Sequence, residues 1–192
     1  VRYNPHHPDW HKVEDIPPDI TLAEYAAAWI DMEPHIDTLA ALAREAKVIV
    51  EFGVRGGVST WAMLDAMPAE GDLYGVDIDP NAPIPPRVIE DPRFGFVVGD
   101  SLKVALPEHA DLVMIDSSHE FTQTVMELHR AASLTPSVIL CHDYLYEHSP
   151  QVHRAVDGFV APPYTDDHWD QVPYRIGRVE FSRWGLAVLV PR

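Results

Sequence analysis

The chain holds a single cysteine, Cys141, which excludes an intrachain disulfide framework. Basic residues are scarce: 14 Lys and Arg stand against 30 Asp and Glu, and the formal net charge is −16. Nucleic acid and anionic membrane surfaces are bound through Lys and Arg footprints, so neither is expected as the main partner. No apolar run approaches the roughly 20 residues that cross a bilayer, and no leader-like apolar segment follows Val1. These absences lead to the expectation of a cytoplasmic protein; the start at Val1 leaves room for a missing extreme N-terminus. Internal repeats are absent as well. What is present is a core: 46% of the 192 residues are hydrophobic and five are tryptophan, enough for one globular catalytic or binding domain.

The most informative stretch is Val48 to Thr60. A β-branched apolar run ends in Glu51, a turn with Gly53, Gly56 and Gly57 follows, and Ser59 and Thr60 lead into the helical run from Trp61 to Met67. Strand, tight turn and helix start form the arrangement that holds a small molecule at the carboxyl edge of an α/β sheet. The same pattern also serves as an ordinary β-to-α turn. Arg55 occupies the place of the middle glycine of a dinucleotide fingerprint, and the chain has no Gly-Lys-Ser or Gly-Lys-Thr triplet of a Walker loop. An acid beside the loop repels phosphate and suits a cationic ligand. S-adenosylmethionine, with a sulfonium, an ammonium and no phosphate, answers that description.

Along the chain, Val1 to Asp19 carries Pro5, Pro8, Pro17 and Pro18 with His6, His7 and His11, a density of proline that predicts an extended arm. Helices are expected over 20–30, capped by Thr21 with Glu24 three residues on, and over 34–46, with Ile36, Leu39, Ala40, Leu42 and Ala43 inward. Residues 1–32 are thus read as an arm and helix, and 33–192 as the main domain. Strand 73–77 ends in Asp77, about 20 residues beyond Gly57, where an acid accepts ribose hydroxyls or caps the next segment. Five prolines between Pro80 and Pro92 predict a short, rigid connection. Strand 94–98 closes on Gly99-Asp100-Ser101; an acid or hydroxyl here reaches an adenine or caps a short helix over 102–106. Strand 111–115 ends in Asp116-Ser117-Ser118-His119 and is followed by a helix over 120–132. Strand 137–141 ends in His142-Asp143. A helix over 151–159, an irregular loop with Tyr164 and Trp169, and two apolar runs at 175–181 and 185–190 complete the chain, the last two as an antiparallel hairpin. Strands alternating with helices imply a doubly wound, mostly parallel sheet with seven strands.

Asp116, His119, His142 and Asp143 end two strands expected to be neighbours. Carboxylate and imidazole donors from two adjacent tips suit one divalent cation, with oxygen favouring magnesium or manganese and imidazole shifting preference toward manganese, iron or zinc. His119, three residues after Asp116 at a helix start, is placed to take a proton from a substrate hydroxyl, and the helix end is expected to keep its ring neutral. Taken singly, the two acids also read as caps and the histidines as surface residues.

With these residues placed, the chain resembles the class I S-adenosylmethionine-dependent methyltransferases. The resemblance rests on Glu51-Phe52-Gly53-Val54-Arg55-Gly56-Gly57, Gly75-Val76-Asp77-Ile78-Asp79, Val98-Gly99-Asp100-Ser101 and Leu112-Val113-Met114-Ile115-Asp116. The Gly56-Gly57-Val58-Ser59-Thr60 ending and the Asp116-x-x-His119 spacing look like the subgroup of metal-dependent O-methyltransferases of macrolide sugars and the cephalosporin-hydroxylase-like proteins. The resemblance implies cofactor contacts from Glu51, Gly53, Arg55, Gly57, Ser59, Thr60, Asp77, Ile78, Asp100, Ser101 and Asp116. It implies metal ligation by Asp116 and Asp143 and His119 as base; with His142 added from the strand tips, the site is read as Asp116, His142 and Asp143 holding magnesium or manganese. His142-Asp143 stands where that subgroup has two acids. The expected partner is a small-molecule acceptor, with homo-oligomerisation left open. A nicotinamide-dependent oxidoreductase or epimerase and a non-catalytic cofactor-binding module are the alternative readings.

Overall fold

The computed structural model describes residues 16–161 and 173–192. Most of the proline-rich arm, with His6, His7 and His11, lies outside the described residues, as does the loop with Tyr164 and Trp169. Helix α1 (Leu22–Ala27) opens on Thr21, whose side chain accepts the Glu24 N–H while Glu24 reaches back to the Thr21 N–H, a capping box that fixes the helix start. A 3₁₀ turn (Glu33–His35) leads into α2 (Ile36–Ala43). Then β1 (Val48–Phe52), α3 (Val58–Ala66), β2 (Asp72–Asp77), α4 (Pro86–Ile89) and β3 (Phe94–Val98) alternate. They are followed by β4 (Leu112–Ile115), α5 (Phe121–Ser133), β5 (Val138–His142), α6 (Pro150–Val160), β6 (Tyr174–Glu180) and β7 (Leu186–Pro191).

The seven strands form one sheet in the order β3-β2-β1-β4-β5-β7-β6. The pairs from β3 to β5 are parallel, and β7 lies antiparallel to both β5 and β6. The hairpin therefore enters the sheet by its second arm, and β7 alone runs against the rest. The chain reverses its direction of strand addition between β1 and β4, the switch point where open α/β sheets take ligands.

Side chains alternate across the strands, and the core divides accordingly. Ile49, Leu73, Leu112, Met114, Leu140 and Leu186 pack with Tyr25, Ala26, Leu39 and Trp61 on one face. Val50, Phe52, Val113, Ile115, Ile139 and Cys141 pack with Leu128, Val152 and Phe159 on the other. The step of two also sends Glu51, Asp116 and His142, each two residues past a side chain of the first cluster, toward the face covered by α1, α2 and α3. Helix α1 shares this core with the sheet.

Two local expectations are corrected. Residues 102–106 form turns and no helix. Arg130 donates to the carbonyls of Ser101 and Val104, the acceptors that a helix would need for its own ladder, and Pro107 follows at once. The first helix ends at Ala27, short of residue 30, because the chain turns there to carry Trp29 and Asp31 over the glycine-rich loop. Among the described residues no helix is long and apolar enough to cross a membrane.

Candidate active site

The turn after β1 is held from three sides. Asp77 Oδ2 accepts the backbone N–H groups of Val54 (2.9 Å) and Arg55 (2.8 Å). The Tyr25 hydroxyl donates to the Gly56 carbonyl (2.7 Å) and the Pro83 carbonyl (3.1 Å). Gly53 has φ +89°, and a Cβ there would lie 2.1 Å from the Asp116 carbonyl oxygen, so only glycine lets this loop cross the tip of β4. A Cβ on Gly56 would meet the Trp29 ring at 2.2 Å. Arg55 lies in the left-handed region at φ 48°. Its guanidinium stacks on Trp29, 4.7 Å from the ring centroid, and donates to Asp31 Oδ2 at 2.6 Å.

Glu51 is fully buried. Its Oε1 accepts the Ser59 hydroxyl and its Oε2 the Thr60 hydroxyl at 2.5 Å. Burial pushes its carboxyl up to about 8 against the pull of those two hydroxyls. Glu51, Ser59 and Thr60 thus tie the start of α3 to β1 beneath the loop, with all three side chains satisfied inside. Asp77 Oδ1 keeps lone-pair capacity beside its bond to the Asp79 N–H (2.9 Å). Ile78 is 77% exposed at the tip of β2. At β3, Asp100 pairs with Lys103 (2.7 Å) and caps the Leu102 N–H (2.9 Å). Ser101 donates to Glu127, which also takes the Ser117 hydroxyl (2.6 Å). Asp100 and Ser101 sit at the end of β3, with β2 and β1 between them and the Asp116 cluster.

That cluster is the densest polar feature at the sheet's carboxyl edge. Asp116 Oδ1 lies 3.0 Å from His119 Nε2 and 3.2 Å from His142 Nδ1. Asp143 Oδ2 lies 3.2 Å from His119 Nε2, and Asp143 Oδ1 is 3.6 Å from His142 Nδ1. Asp143 is 5% exposed, and its Oδ1 is buried with no hydrogen-bond partner among the described residues. His142 Nε2 faces the Asp31 carbonyl at 3.1 Å. His119 and Asp143 both have left-handed backbones, φ 58° and 57°, an uncommon state that non-glycine residues hold only where their surroundings enforce it. For Asp143 it turns the carboxylate from the far face back toward Asp116.

Charge follows the packing. Burial would raise Asp116, but His142 and His119 outweigh it and hold the carboxyl well below its usual range. Burial pushes Asp143 up to about 6, with the charge of Asp116 adding to the shift. Burial would lower His142, but Asp116 and Asp143 lift it to about 9. His119 is likewise raised, burial being overcome by Asp116 and Asp143. The direction is opposite to that of a helix end, because the two carboxylates outweigh it. His119 precedes α5, which begins at Phe121, so it stands outside the helix's first turn and answers to the two carboxylates.

One ligand atom each from Asp116, His142 and Asp143 lie within 4.8 Å of one another. Two oxygen donors and one imidazole nitrogen at that spacing can hold a divalent ion. The structure adds residues that sequence reasoning missed: Asp31, His35, Glu127 and Glu180. His35 packs edge-on against His142 (5.4 Å between centroids) and bonds Glu180 (3.1 Å) and Ser182 (3.0 Å). No local pattern marks these residues, since their partners lie up to 147 positions away.

Residues 50–144 match the family model of a methyltransferase domain, a segment that runs from β1 to just past β5 and holds Glu51 through Asp143. The fold is similar to an O-methyltransferase from Bacillus cereus in complex with S-adenosylhomocysteine (17% identity, 96% of this chain and 92% of that one, TM-score 0.68). It is also similar to the O-methyltransferase TomG from Streptomyces achromogenes, involved in tomaymycin synthesis, in complex with S-adenosylmethionine (15%, 88% and 87%, TM-score 0.61). A third similar structure is fibrillarin from Aeropyrum pernix with natively bound S-adenosylmethionine (18%, 78% and 68%, TM-score 0.57). No curated protein matches the chain. The matched segment, just under half of the chain, and these similar structures give the chain an α/β methyltransferase fold, consistent with the class I S-adenosylmethionine-dependent methyltransferases that the four motifs resemble.

Proposed function

We propose that this protein is a cytoplasmic enzyme that transfers a methyl group from S-adenosylmethionine to an oxygen of a small molecule, assisted by a divalent ion on Asp116, His142 and Asp143. The observation that carries the reading is the convergence of those three residues with His119 at the tips of β4 and β5, directly beside the glycine-rich loop. The donor set fits an ion: the buried Asp143 Oδ1 has no hydrogen-bond partner among the described residues, and such groups are rare without a role. S-adenosylmethionine supplies an electrophilic methyl on its sulfonium, and a divalent ion supplies positive charge that eases loss of the acceptor's proton.

The chain's own residues do the rest. Asp77 and the Val54 and Arg55 amides fix the loop against which the cofactor lies. Trp29, Arg55 and Asp31 pack on one another at the same side of the loop. Positioning of this kind supplies most of the rate where little covalent chemistry is asked of the protein. His119, a third exposed, is the imidazole that faces outward, where an acceptor hydroxyl arrives. It serves as base once its ring leaves Asp116 and Asp143. The acidic chain favours a small acceptor over nucleic acid, and a homo-oligomer is compatible with the fold.

The test is a thermal-shift panel of S-adenosylmethionine, S-adenosylhomocysteine and NAD, each with and without manganese, since a ligand that binds the folded state stabilises it. Stabilisation by the two adenosyl ligands and none by NAD is expected; the reverse pattern sinks the reading. With an acceptor in hand, His119→Ala should lower kcat by roughly 10²–10⁴, the usual worth of a general base, and leave cofactor affinity unchanged. A variant with the wild-type rate removes His119 from the mechanism.

A further inference from the structure

We infer that His142 binds the ion through Nδ1, in a tautomer fixed by the Asp31 carbonyl, and that the site therefore selects an imidazole-accepting divalent ion such as manganese, iron(II) or zinc over magnesium. This rests on the metal-assisted reading above and goes further, to the identity of the ion and the residues that decide it.

Imidazole has two nitrogens, and the partner of one settles the role of the other. His142 Nε2 lies 3.1 Å from the Asp31 carbonyl oxygen. A carbonyl only accepts, so Nε2 carries the hydrogen and donates. Nδ1 then faces the carboxylates, 3.2 Å from Asp116 Oδ1 and 3.6 Å from Asp143 Oδ1, and in the neutral ring it holds the lone pair. A backbone carbonyl that takes the hydrogen of the other ring nitrogen is the usual device that orients a ligating histidine. The ring cannot turn away. It is 1% exposed, and His35 stands edge-on against it, held in turn by Glu180 and Ser182.

The second observation is Asp143. Its Oδ1 is buried with no hydrogen-bond partner among the described residues, and it stands with Nδ1 and Asp116 in one cluster. Two carboxylate oxygens with one fixed nitrogen make a mixed donor set. Magnesium demands oxygen in a near-ideal octahedron. Imidazole suits iron, zinc and their neighbours, and manganese tolerates it. Asp31 sits in the segment between α1 and α2, so the part of the chain that covers the glycine-rich loop through Arg55 also sets the tautomer at the ion site.

The experiment uses the full chain, stripped of metal, with no methyl donor or acceptor. Manganese, zinc and magnesium are titrated separately by calorimetry. In parallel, the manganese-loaded protein is examined by electron spin echo spectroscopy for a directly bound imidazole nitrogen. Manganese and zinc should bind at least about tenfold more tightly than magnesium, and the nitrogen signal should be present. In His142→Asn the signal should vanish and the preference should shrink to within about threefold, with magnesium affinity little changed. If that variant fails to fold, His119→Ala takes its place: the nitrogen signal should persist in it, and its loss there would make His119 the ligand and overturn the inference. Magnesium binding as tight as manganese, or a spectrum without bound nitrogen, overturns this inference and leaves the metal-assisted reading standing. A nitrogen signal that persists in a folded His142→Asn overturns it too, because another ring, His119, is then the ligand. If none of the three ions binds, both readings fall, while the thermal-shift panel still judges the methyltransferase assignment on its own.

Discussion

Glu51 and Asp116 are the same chemical group at the ends of adjacent strands. β1 and β4 are paired, Phe52 opposite Ile115, and both acids point to the same face. Glu51 is fully buried, and the Asp116 side chain is 11% exposed. Yet Glu51 is pushed up to about 8 and Asp116 is held well below the ordinary carboxylate range. The difference lies in their neighbours. Glu51 meets two hydroxyls, which offset little of the cost of burying a charge. Asp116 meets two imidazoles, whose charge more than repays it. One half of the site therefore holds a neutral acid as a structural tie beneath the cofactor loop. The other half holds a charged acid ready for a cation. The lesson is that an acid at a strand tip announces a site without saying which state it is in.

The comparison breaks most sharply at Asp116. Asp116→Ala leaves a buried, proton-rich His142 without its counter-charge, and losing one partner of a buried pair costs about 3–5 kcal/mol. Urea denaturation in chelator should show that loss. Less than about 1 kcal/mol would mean that the ion pair is only the worth of a surface contact.

Glu51 is next. It binds its proton more tightly in the folded protein than in the unfolded chain. Between its ordinary value of 4.5 and about 8, the unfolded state holds fewer protons, so stability falls as pH rises through that window. The contribution is full below the lower value and lost above the upper one, a drop on the order of a few kcal/mol. Glu51→Gln has nothing to ionise and keeps the shape, so its urea midpoint should change much less than the wild type's between about pH 5 and pH 8. An identical slope in both proteins would mean that Glu51 is charged in the fold and that the two halves do not differ.

Asp77→Ala removes the acid that holds the Val54 and Arg55 amides and faces the cofactor side. S-adenosylhomocysteine affinity by calorimetry should weaken by about 1–3 kcal/mol, the cost of unpaired polar groups. Unchanged affinity would make Asp77 a cap alone. The smallest effect sharpens the comparison. Ser59→Ala should destabilise the protein by about 1 kcal/mol if the bond to Glu51 joins two neutral groups, whereas a charged Glu51 would raise the loss to about 1.5–3 kcal/mol. Denaturation at neutral pH separates the two.

Much of this was legible in the chain. Short unbroken apolar runs ending in Glu51, Asp77, Asp116 and His142 carry the strands, because a run of a few apolar, often β-branched residues is a local property of the sequence. The glycines at 53 and 56 mark close approaches, since backbone and ring leave no room for a Cβ. The capping box at Thr21 was readable because it depends on residue type at a fixed spacing, and the candidate ion residues at 116, 142 and 143 because each follows the end of an apolar run that reads as a strand. Tertiary structure decided what spacing cannot carry. It placed β7 between β5 and β6, unwound 102–106 by giving the carbonyls to Arg130, and brought Asp31 and His35 of the N-terminal segment onto His142. It also set the charge of Glu51, Asp116 and Asp143, because burial and a partner far along the chain exist only once the sheet has formed, and together they outweigh the intrinsic chemistry of the side chain.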